Sequence, residues 1–132
     1  MDQLIAWGRT QPPTAGTREE ILRRYLTGAG RRLPAVMQFA QANHAGVSEL
    51  AVGHRVLDRF NTLCELLAPP QAGPAEQLKA RLAVMALHMA GAPPFLLPAS
   101  VAEMTEDEKA AAALGVAFEL VSGRHAGHGQ AR

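Results

Sequence analysis

Apolar residues along this chain recur at three- and four-residue spacing, and clusters of Pro and Gly cut the pattern into separate runs. Residues 2–8, with Leu4, Ile5 and Trp7, predict a short helical turn, and Pro12 and Pro13 place a loop over 10–16. Thr17-Arg18-Glu19-Glu20 reads as a capping box that opens a helix with Ile21, Leu22, Tyr25 and Leu26 on one face, stopped by Gly28 and Gly30. A second helix is expected from Leu33, with Pro34 in its first turn, Leu33, Val36, Met37 and Ala40 on one face, Phe39 beside them and Gly46 at its end. Ser48 is a good N-cap for a third, with Leu50, Leu57, Phe60, Cys64 and Leu67 on one side and Val56 and Leu63 beside them. Pro69-Pro70 ends it, close to 30 Å long at ~1.5 Å per residue.

A fourth helix is expected from Pro74, striped by Leu78, Leu82, Met85 and Met89. Val84, Ala86 and Leu87 make it apolar nearly all round, the pattern of a helix in the middle of a bundle. Gly91 and Pro93-Pro94 close it, and Phe95-Leu96-Leu97-Pro98 reads as an extended strap across the core. Residues 100–104 allow one short turn. Thr105-Glu106-Asp107-Glu108 is a second capping box, opening a last helix with Leu114, Ala117, Phe118 and Val121. Alternation of period two is absent over any useful length. The expectation is an all-α, single-domain bundle of four to five main helices over residues 1–121, with a central antiparallel hairpin of helices three and four and a flexible Gly- and His-rich tail over 122–132. Leu57, Phe60, Leu78, Leu82 and Met85 are its expected hairpin core.

The 132 residues are one domain's worth, and 48% hydrophobic against 19% charged is ordinary for a globular chain. With 13 Lys and Arg against 12 Asp and Glu, the net charge of +1 creates no global field toward nucleic acid or an anionic membrane. Cys64 is the single cysteine, so a disulfide within the chain and a cysteine-based zinc site are both excluded. On an apolar helix face it reads as a small hydrophobe. The start of the chain lacks a signal-peptide pattern, and the apolar run of residues 82–90 is half a membrane span, so a cytoplasmic protein without membrane contact is expected. Among His44, His54, His88, His125 and His128 no pair shows metal-ligand spacing, and His88 reads as a hydrogen-bonded core histidine. No nucleophile elbow and no phosphate-binding loop occurs. The capping box accounts for the acids at 103–108. Catalytic, cofactor and metal residues are therefore assigned to none.

Residues 39–52 are the most suggestive stretch. Ala42, four residues before the turn residue Gly46, would let two helices approach; Val47 would tuck into the core, Ser48 would cap the next helix and Val52 would be buried in it. This arrangement resembles a helix-turn-helix. Together with the capping box at Thr17, residues 17–50 are similar to the opening of tetracycline-repressor-type DNA-binding domains. The resemblance implies a dimeric DNA-binding regulator that exposes Glu49, His54, Arg55 and Arg59 to bases, with Arg18, Arg23, Arg24, Arg31 and Arg32 near phosphates. The chain departs from the pattern at Gln41 and Arg55, where apolar side chains belong, at Gly53, and in lacking the family's following aromatic-His-Phe segment. A helix stop followed by an N-cap explains the same residues, and the arginines then line a solvated face.

Elimination of enzymatic chemistry leaves a small helical protein that works by contact with a protein partner, as regulator, adaptor, chaperone or inhibitor. A homodimer is one form of such contact. The alternative is the helix-turn-helix regulator, with Ser48, His54, Arg55, Arg59, Arg31 and Arg32 at the DNA.

Overall fold

The computed structural model describes residues 1–28 and 51–122, with the backbone alone at 51–54 and 56. Their regular structure is all helical, joined by short turns, with no strand among them. The main helices are α1 (Asp2–Arg9), α2 (Ala15–Thr27), α3 (Ala51–Leu67) and α4 (Pro74–His88). Two 3-10 turns, Met89–Gly91 and Pro94–Leu96, lead into the single turn α5 (Ala99–Ala102) and the last helix α6 (Glu106–Val121). The helix expected over 33–46 and the junction before Ala51 lie outside the described residues, as do residues 123–132.

Local chemistry sets the boundaries. At the start of α6 the Thr105 amide donates to Glu108 Oε1 at 2.9 Å, and the Glu108 amide donates to Thr105 Oγ1 at 3.1 Å. That is the reciprocal box its sequence predicts. The box expected at Thr17 does not form. α2 begins earlier, because Thr14, extended behind Pro12-Pro13, accepts the Thr17 amide at 3.2 Å, and the two hydroxyls bond at 3.1 Å. Ala15 and Gly16 thus become first-turn residues, and Glu20 is released to pair with Arg23 and Arg24. Gln77 closes the turn between α3 and α4 by donating to the carbonyls of Pro70 and Ala72 at 2.9 and 2.8 Å. α3 and α4 run antiparallel, with Arg81 donating to Asn61 at 2.8 Å.

The core collects Ile21, Leu22 and Tyr25 of α2, Leu63, Cys64 and Leu67 of α3, Ala80, Ala83, Val84 and Leu87 of α4, and Ala113, Ala117 and Val121 of α6. The most extensive pairing is α4 with α6, and it corrects the expected hairpin core. Leu57, Leu78, Leu82 and Met85 are exposed, and Phe60 is half-buried. Alanine lies on both sides of the α4–α6 contact, so the two backbones approach to a spacing that large side chains would prevent. α4 therefore turns its small face inward and its leucines and methionines outward. Likewise Phe95 and Leu96 do not strap the core; they stand in the exposed 3-10 turn, and Leu97 alone of the three is half-buried.

α1 closes the bundle from outside. An added Cβ at Gly8 would meet Leu66 Cδ1 of α3 at 3.0 Å, so glycine permits the close approach. Arg59 grips Asp2 through two bonds, Nε to Oδ1 at 2.7 Å and Nη2 to Oδ2 at 3.1 Å.

Candidate protein-contact surface

Four of the described arginines that the DNA reading needs, Arg18, Arg23, Arg24 and Arg59, are engaged in holding helices together. Arg59, bonded to Asp2, is held firmly protonated by that hydrogen bond and by the carboxylate charge, and the same contacts hold the Asp2 carboxyl below its usual range. Arg18 of α2 donates its Nε to the Val121 carbonyl at 2.8 Å, satisfying the C-terminal end of α6. Arg24 bonds Glu20 and lies 3.8 Å over the Trp7 ring, joining α1 to α2. Arg23 also bonds Glu20 and lies 5.3 Å over Phe118, joining α2 to α6. These two hydrogen bonds hold the Glu20 carboxyl below the usual carboxylate range, that from Arg24 being the larger influence. Arg55 is exposed on α3. His54 lies in the same helix with its side chain outside the description, and Ser48, Arg31 and Arg32 are outside the described residues. Of the expected DNA-contact residues, the described side chains are those of Arg55 and Arg59, four positions apart on α3, with Arg59 bonded to Asp2.

What the described surface does show is apolar. Leu78, Leu82, Met85 and Met89 fall at i, i+4, i+7 and i+11 of one helical path, roughly half a turn away from the buried face of α4. Each is between 40% and 58% exposed. This three–four spacing is that of a seam onto which a second helix packs. Met89 also walls a hollow of about 200 Å³ where α4, α5 and α6 meet, with Ala86, Leu97, Val101, Ala112 and Val116 among its lining. Lys109 also lines it, but its amine pairs with Glu106 at 3.4 Å, and the exposed surface of the hollow is almost all apolar. Two residues before Leu97, Phe95 is 82% exposed. Prolines at 93, 94 and 98 and the bonds from Leu96 N to Pro93 O and Leu97 N to Pro94 O fix its backbone.

Sequence periodicity found the four stripe positions on α4 but assigned them to the core. The signal that could have corrected this is the opposite face, where Ala80, Ala83 and Val84 offer the small side chains of a close helix contact.

Burial pushes the Cys64 thiol up to about 11, the state of an unreactive thiol, although nearby Arg81 pulls the other way. The Tyr25 hydroxyl and His88 Nε2 bond at 2.7 Å, and their rings stack with centroids 5.8 Å apart. Burial raises the Tyr25 hydroxyl well above its ordinary value and lowers His88. Among the described residues, no group of three or more His, Cys, Asp and Glu could hold a metal ion, and no helix is long and apolar enough to cross a membrane. No protein-family model, no curated protein and no solved structure matches the chain.

Proposed function

We propose that this is a non-enzymatic helical protein that acts by protein–protein contact, through the outer face of α4 and the hollow beside it. The observation that carries the reading is the stripe of Leu78, Leu82, Met85 and Met89 standing in solvent opposite the core. Scattered exposed apolar residues are ordinary, but a helix-length run of large ones in register is a contact surface. A regulator, adaptor, chaperone or inhibitor would each use such a face. The test is a photo-crosslinking side chain placed at Leu82 in the full chain, irradiated in extract of the source cells. A discrete adduct, competed away by excess unmodified protein, is the expected result. Labelling no different from that at an exposed polar position such as Gln71 would remove the reading.

A further inference from the structure

The hollow and the phenylalanine next to it point to the partner. We infer that the contact face pairs with a second copy of this chain, each copy seating its Phe95 in the hollow of the other. This rests on the protein-contact reading above and names its occupant.

The first argument is fit. Phe95 is the most exposed of the large hydrophobic residues in the described chain and does not occupy its own hollow. The hollow, at about 200 Å³ with an apolar lining, has room for one aromatic ring; an apolar cavity of ~150 Å³ already takes up benzene. A two-fold contact requires that each copy present both the projection and the socket on one patch, so that the same projection-to-socket contact is made twice. Phe95 and Leu97, two positions apart, supply projection and socket wall from one proline-held segment. Such a segment loses little freedom on docking, which favours it as an anchor.

The second argument is extent. The stripe continues into the hollow through Met89, and the hollow continues to Phe95 and Leu96 through Leu97. Leu78, Leu82, Met85, Met89, Phe95, Leu96 and Val116 are each 40–82% exposed, and seven large side chains open to that degree offer an apolar area of the order of the ~800 Å² that each partner contributes to a stable pair. Charge does not oppose the pairing, since a net charge of +1 makes repulsion between copies small.

Sedimentation of the full chain over a wide concentration range tests this. The expected mass rises from 14.0 kDa toward twice that value with concentration. Phe95→Asp should raise the dimer Kd at least about tenfold, as loss of a central aromatic anchor does. Because Phe95 is exposed, the diluted variant should keep the parent's helical content and Tm. Val116→Trp, which fills the socket from its own side, should weaken pairing similarly. A mass fixed at 14.0 kDa, or a dimer indifferent to Phe95→Asp, overturns the inference. If the chain stays monomeric and Leu82 crosslinks to a different protein, self-pairing falls while the protein-contact reading stands. If it stays monomeric, gives no adduct and loses Tm in Leu82→Asp, both fall.

Discussion

The Tyr25 hydroxyl lies 2.7 Å from His88 Nε2, with both rings stacked between α2 and the end of α4 and Tyr25 fully buried. The other ring nitrogen, His88 Nδ1, is buried and has no partner among the described residues. Protonation would place a hydrogen on both ring nitrogens and leave the one on Nδ1 without an acceptor, so burial depresses the folded-state pKa below 6.5. The unfolded chain then binds the proton more readily than the folded one, and stability rises with pH in this window.

The first expectation follows from that sign. His88 contributes its full stability above about pH 6.5 and loses it as the pH falls from there through the lowered folded value. Denaturant midpoints measured from pH 8 to 5 should fall less steeply in the double variant Tyr25→Phe/His88→Phe than in the parent. At pH 8 the single variant His88→Phe should cost about 1–3 kcal/mol, because Tyr25 loses its partner, while the double variant should be nearer neutral. Equal pH slopes for parent and double variant would refute the assignment.

The two faces of α4 should respond oppositely to truncation. Leu87→Ala removes a fully buried side chain and should cost about 2–5 kcal/mol. Leu82→Ala, measured by denaturation below the concentration at which copies associate, should cost less than about 1 kcal/mol, in the range of surface changes. A large effect of Leu82→Ala in the dilute chain would return that residue to the core.

At the start of α2, Thr14→Ala should destabilise by about 1 kcal/mol, as loss of an N-cap does. Thr17→Ala should cost less, since its amide remains in place to be capped. Thr105→Ala should match Thr14→Ala. Amide exchange at Thr17 and Glu108 is the local readout, and faster exchange is expected at each when its own cap is removed.

Gly8→Val should loosen α1. A Cβ there already meets Leu66 at 3.0 Å and Ile21 at 3.5 Å, and a branched side chain adds two carbons to a full space. The cost should be about 1–3 kcal/mol, as for other overpacked sites. Trp7 fluorescence should shift to longer wavelength, since that ring is held by Arg24 across the α1–α2 contact.

Duplex DNA should bind weakly and without sequence preference. Arg59 is committed to Asp2, and Arg18, Arg23 and Arg24 are committed to a carbonyl, a carboxylate or a ring. Anisotropy at two salt concentrations should show a shallow salt dependence, reflecting few neutralised phosphates. Tight, sequence-selective binding abolished by Arg55→Ala would make the helix-turn-helix regulator the better reading.

Where local chemistry decides, the sequence was a good guide. The capping box at Thr105, the stop at Pro69-Pro70, the start at Pro74 and the buried face of α2 all follow from residues a few positions apart. The errors arise where a choice depends on a distant partner. Thr14 and Thr17 can both cap, and which does so depends on how Pro12-Pro13 deliver the chain. α4 is apolar on two faces, so periodicity cannot say which one meets α6; the alanines at 113 and 117, some thirty positions away, decide it. The apolar 95–98 segment looked like core filling because hydropathy alone does not distinguish a strap from a projection. The exposed stripe of α4 is therefore visible in the sequence as residues, but not as a surface.

The bond from Arg18 to the Val121 carbonyl joins positions 103 apart, and it has a consequence for the order in which the protein can be made. The inner face of α2 is lined by α6, the last helix described, so residues 21–25 emerge from the ribosome long before the partner that buries them. At ~5–20 residues per second that interval is roughly 5–20 s, during which Ile21, Leu22 and Tyr25 have no final cover. Nascent chains stalled before residue 106 should remain sensitive to protease within α2, and release past residue 121 should protect it. Protection appearing in the shorter chains would show that the first helices settle without the last.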